Sequence, residues 1–204
     1  MKKIIINLAI AALGLAASAG QPKAPKSDIV KMDVPQSTFN WHAKKVTGEH
    51  KGTVKFQNGE VILQNNQLTG GLFNVNMTSI EDLDLSGEWH DKLVNHLKSD
   101  DFFSVVKYNT ATLKINSAEV ISGAKPGENN YSIKADLIVK GITQEITFLA
   151  FVIISKDRVV ANASFLIDRT KYGIKYGSKS FFESIGDKAI DDNFEVTVRV
   201  VGTR

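Results

Sequence analysis

The chain has 204 residues, 43% of them hydrophobic and 23% charged, which suits one ordinary domain able to bury its own core. It contains no cysteine, and this excludes disulfide frameworks, thiol nucleophiles, cysteine-ligated zinc and a lipid-anchored cysteine. Lys and Arg number 25 against 22 Asp and Glu, or 23 against 22 without Lys2 and Lys3. So small an excess gives no general reason to expect nucleic acid or an anionic surface as partner.

The first nineteen residues read as an address. Lys2 and Lys3 precede the apolar stretch Ile4–Ala17, broken by Asn7 and Gly14, and Ala17-Ser18-Ala19 offers small side chains for cleavage. This is the pattern of a secretory signal peptide over 1–19. The apolar stretch is shorter than the roughly 20 residues that span a bilayer. The mature chain is therefore expected to be periplasmic or secreted, with no integral membrane segment. Residues 20–33, with Pro22 and Pro25, are expected as a flexible leader before a single domain over 34–204.

Period-two alternation dominates that domain and predicts strands with one buried face. Phe39, Trp41 and Ala43 alternate with polar neighbours, as do Val54 and Phe56, then Phe73, Val75 and Met77. The pattern returns at Ala111, Leu113 and Ile115, along Tyr131–Val139, along Val159–Ile167, and from Phe194 to Val200. Turn signals separate the segments at Asn58-Gly59, Asn65-Asn66, Gly123–Asn130, Lys140-Gly141 and Lys156-Asp157. About eight or nine strands joined by short turns predict an antiparallel barrel or sandwich. Ile146–Ile154 departs by being apolar on both faces, so it should be covered outside as well as inside. A partner chain, a second layer or a helix could supply that cover, and one candidate is a helix over Glu88–Leu97, with Trp89, Leu93 and Leu97 on one stripe and Ser86 placed to cap it. Ser99 should cap a further helical turn over Asp100–Phe103.

Groups that could carry a reaction are sparse. Among the four histidines, His90 and His96 are six apart on the expected helix, with no His-Glu-x-x-His arrangement. Asp82 and Asp84 lack the remaining ligands and the glycine of a calcium loop. No phosphate-cradling glycine pattern and no Gly-x-Ser-x-Gly elbow is present. No catalytic residue, metal ligand or cofactor is assigned.

Five blocks in series resemble the YceI-like family. They are Phe39–His42 with Val46–Gly52, Gly70–Ile80, His96–Phe103, Leu137–Thr143 and Ile167–Ile174. The resemblance implies a mainly β fold: an extended antiparallel eight-stranded lipocalin-like barrel with a short inserted helical segment. It also implies an exported protein holding a polyisoprenoid or other long-chain amphiphile in an apolar tunnel, without agreed catalytic residues. Trp41 with Lys44-Lys45, and a longer and more polar Phe181–Asp192, depart from the pattern at the expected tunnel mouth.

A tunnel of this kind can work on hydrocarbon burial alone. At about 0.8 kcal/mol per CH₂, each isoprene unit supplies roughly 3–4 kcal/mol gross. Three or four units then reach micromolar affinity after ordering costs. The residues expected to bind ligand are Trp41, Phe56, Phe73, Val75, Leu113, Leu137, Phe148 and Phe165. Alternation alone reads equally as tunnel lining or as a filled core. Arg169 and Tyr172 are expected at an open end, either meeting a polar head group or bracing their loop. Two rival functions stand beside the carrier. One is an extracytoplasmic enzyme using His42 on a hydrophobic substrate; the other is an interaction module docking a partner, or a second copy as a homodimer, through Ile146–Ile154.

Overall fold

The computed structural model describes residues 27–204, so the expected signal peptide and the start of the leader lie outside the described residues. Nine strands follow in chain order: β1 (Ser27–Met32), β2 (Thr38–Lys45), β3 (Gly48–Gln64), β4 (Gln67–Asp82), β5 (Thr110–Val120), β6 (Tyr131–Val139), β7 (Ile142–Ile154), β8 (Arg158–Asp168) and β9 (Ile190–Thr203). One helix, α1 (Gly87–Lys98), lies between β4 and β5. Every pairing is antiparallel, and β2 on β9 closes the ring. β1 and β2 share one place in it, since β1 pairs with the far half of β3 and the end of β9. The result is an eight-position closed barrel that leaves no open edge.

The expected leader over 20–33 ends sooner than its prolines suggest. Val30 is buried opposite Val61, and Ser27–Met32 join the sheet. The strand is then interrupted by a tight turn at Val34–Gln36, where Asp33 accepts a hydrogen bond from the Gln36 backbone and Pro35 occupies the first turn. Proline cannot donate to a ladder, so the chain restarts as β2.

Other expectations are corrected. Asn58-Gly59 is no turn: β3 runs through it, with register shifts between Thr53 and Lys55 and between Phe56 and Asn58. A bulge absorbs the extra residue and coils the long β3–β4 hairpin. Nor does α1 cover the two-faced strand, because it packs on β4, burying Val94 and Leu97, while Trp89 stands 70% exposed. Ser86 holds the N-cap position without a side-chain bond, and Asp100–Phe103 is a turn, not a helix. The outer residues Leu149 and Ile153 of β7 are half-exposed.

Gly52 marks the tightest place in the wall. A β-carbon there would sit 1.9 Å from the Glu81 carbonyl oxygen and 2.5 Å from the Trp41 ring. Backbone cannot yield as a flexible side chain can, so Gly52→Ala is expected to cost about 1–3 kcal/mol. A lowered urea midpoint at unchanged slope would report it.

Candidate functional site

The inward side chains do not meet in the middle. They enclose a cavity of about 170 Å³ whose wall is apolar apart from Thr112, Asn162, Arg169 and Asp191. Its lining runs along β8 from Val159 to Ile167, eight residue steps or roughly 26 Å of strand. Apolar cavities of comparable size stay dry and accept apolar guests.

Trp41, Phe56, Phe73, Val75, Leu113, Leu137, Phe148 and Phe165 all line this cavity. Phe148 and Phe165 stack within it, ring centres 4.4 Å apart and planes 20° from parallel. Sequence reasoning missed Phe39 and Phe194, although both continue a strand alternation already recognised. It also missed Leu97, Phe102 and Phe103, which roof one end from α1 and the turn behind it, where no strand period exists to point at them.

Arg169 and Tyr172 come from the turn that leaves β8, and they part company. Arg169 reaches the cavity wall, but its guanidinium is already spent. It is 2% exposed and donates to the carbonyls of Ile174, Tyr176, Ile190 and Asp191, with Asp192 3.6 Å away. Burial pushes its pKa down while Asp192, Asp168 and Asp191 oppose that push. Burial likewise pushes the Asp192 carboxyl up, but hydrogen bonds from Ser178 and Ser180 and the Arg169 charge outweigh it and hold the group low.

Tyr172 does not line the cavity. Its side chain is buried behind the turn with its hydroxyl unpartnered. Burial, helped by the Asp168 charge, pushes the phenol up to about 12. The folded state therefore favours the protonated phenol, and stability should fall as pH climbs from about 10 through about 12. An ultraviolet titration should show one late-ionising tyrosine, and Tyr172→Phe should remove it.

The histidines lie outside the cavity. His42 follows inward-facing Trp41, so it points outward, to Glu49 at 3.0 Å and Glu195 at 3.9 Å. His50 pairs with Asp84 at 2.9 Å, and with Asp82 these make one acid–histidine group whose ligand-capable atoms lie within 4.8 Å. Both carboxylates hold the β4–α1 turn: Asp82 accepts from the backbones of Asp84 and Leu85, and Asp84 from that of Lys51. His90 binds Glu81 and Asp91. None of these groups faces the space where a guest would lie.

A closed antiparallel barrel around an elongated apolar cavity defines a lipocalin-like protein. The YceI-like domain model matches residues 31–202, and the chain belongs to that family. Among solved structures it is similar to Burkholderia cenocepacia BcnA, at 17% identity and a TM-score of 0.64, covering 83% of this chain and 98% of that one. It is also similar to a polyisoprenoid binding domain from Saccharophagus degradans, at 16% identity and a TM-score of 0.61, covering 87% and 99%. A Campylobacter jejuni YceI protein matches at 16% identity and a TM-score of 0.50, covering 100% and 99%. No curated protein matches the chain by sequence.

Proposed function

We propose that this protein is an exported, non-catalytic carrier that encloses the hydrocarbon part of an isoprenoid-like or fatty amphiphile within its barrel. The observation that carries the reading is the cavity wall: long and, apart from Thr112, Asn162, Asp191 and the engaged Arg169, apolar. The polyisoprenoid-binding character of the Saccharophagus degradans neighbour agrees with it. Because the donors of Arg169 are consumed by carbonyls, a head group stays outside, and affinity comes from chain burial. Seating a long chain goes with rotation of lining rings such as Phe148 and Phe165, since the cavity itself is only about 170 Å³.

Native mass spectrometry of protein purified from its own host without detergent tests this. An adduct that extracts into organic solvent and proves to be a long-chain amphiphile is the expected result. Protein that arrives empty and fails to take up added polyprenol would overturn the carrier. The enzyme rival loses its proposed base, because His42 faces away from the cavity; turnover of a bound lipid that disappears in His42→Ala would restore it.

A further inference from the structure

The near-neutral total charge conceals a local concentration. Between β8 and β9 the chain makes an excursion, residues 169–189, beginning at Arg169, which lines the cavity, and packing Tyr176 on His96 of α1. It carries Lys171, Lys175, Lys179 and Lys188 against two carboxylates, Glu183 and Asp187. The two acids at its foot, Asp191 and Asp192, lie in the field of Arg169. Lys45 adds a further cation, paired with Ile190 across β2 and β9.

Among these lysines stand three aromatic rings that the fold leaves out of its core. Tyr176 is 50% exposed, Phe181 46% and Phe182 50%. They are held in place. Phe181 and Phe182 both donate backbone hydrogen bonds to the Ser178 carbonyl, Lys175 sits 4.6 Å over the Phe181 ring, and Tyr176 packs 4.4 Å from His96 of α1. Val46, half-exposed, donates to Ala189 at the edge of the same surface. Ile190, the next residue, lines the cavity. Exposed rings interleaved with lysines suit the boundary of an anionic bilayer, where rings enter the headgroup layer and ammonium groups meet lipid phosphates.

We propose that this excursion docks its end of the barrel on an anionic lipid bilayer, so that cargo passes between membrane and cavity without crossing water. The proposal rests on the carrier reading above for its purpose, but its binding event can be measured alone. Flotation of the full chain with vesicles of phosphatidylcholine, with or without phosphatidylglycerol, provides the measurement. Binding should rise roughly tenfold with the anionic lipid and fall back at high salt. Lys175→Glu with Lys179→Glu should abolish that increment. Phe181→Ser with Phe182→Ser should weaken binding to both vesicle types about tenfold. The apolar stretch Ile4–Ala17 is common to every chain compared, so differences report the excursion, and an unchanged melting temperature shows that the variants fold.

Equal binding by wild type and the double-serine variant, or no preference for anionic vesicles, would overturn the proposal. Binding that requires host membrane proteins in the vesicles would overturn it in favour of a protein dock. Uptake of polyprenol from detergent micelles separates the two ideas. A chain that loads but ignores vesicles sinks the docking alone, whereas one that docks but never loads sinks the carrier alone.

Discussion

Arg169→Ala is expected to destabilise the barrel by about 3–5 kcal/mol, the usual scale for removing one side of a buried ionic network. The side chain is nearly inaccessible and satisfies four backbone carbonyls at 2.7–3.0 Å, which lose that donor when it leaves. For a domain of this size the loss corresponds to roughly 10 °C in melting temperature. Arg169→Lys keeps the charge but offers three donors on a single atom in place of a planar fork, so it should recover only part of the loss. Thermal or urea unfolding of the three proteins decides the matter. A change within about 0.5 kcal/mol for Arg169→Ala, the range of an ordinary surface substitution, would mean that water replaces the guanidinium without penalty.

The second large effect is on loading. Leu137 points inward from β6, paired with Leu113 on one side and Gln144 on the other, and both leucines line the cavity. Leu137→Trp fills part of that space while keeping the wall apolar, and should reduce long-chain adducts at least tenfold in native mass spectra. The cavity accommodates the added ring, so the stability change should stay below the about 1–3 kcal/mol of overpacking. Leu149→Trp supplies the control, because Leu149 stands half-exposed on the outer face of β7. Undiminished loading of a folded Leu137→Trp protein would separate the cavity from the binding function.

Strand identity and inward direction were legible because the period of two is strict where one face meets solvent and the other does not. Tyr131–Val139 shows it plainly, with alternate residues buried from Tyr131 to Val139. What escaped was anything set by closure instead of by local pattern. β1 is short and lies next to prolines, so only its partners on β3 and β9 reveal it as a strand. Asn58-Gly59 carries turn chemistry, yet the long β3–β4 hairpin overrides it with a bulge. The helix stripe was read in part: Leu97 is buried and Leu93 partly so, but Val94 joins them while Trp89 at the first turn stands out in solvent.

For the site, alternation named wall residues correctly but could not distinguish a lined space from a filled one. That distinction depends on how far apart opposite strands stand, a property of strand number and stagger. Bracing its loop was one of the two roles read for Arg169, but its four acceptors, up to 22 residues further along the chain, were not legible. The structure makes that brace a clamp on four carbonyls at once.

That clamp has a practical corollary. By gripping carbonyls both after β8 and at the first residue of β9, Arg169 ties the two feet of the excursion together, so the strands receive the same boundary whatever spans the gap. The segment from Ser180 to Asp187 is thus a natural graft point, where a reporter peptide or an affinity handle can be spliced in without asking the barrel to re-register.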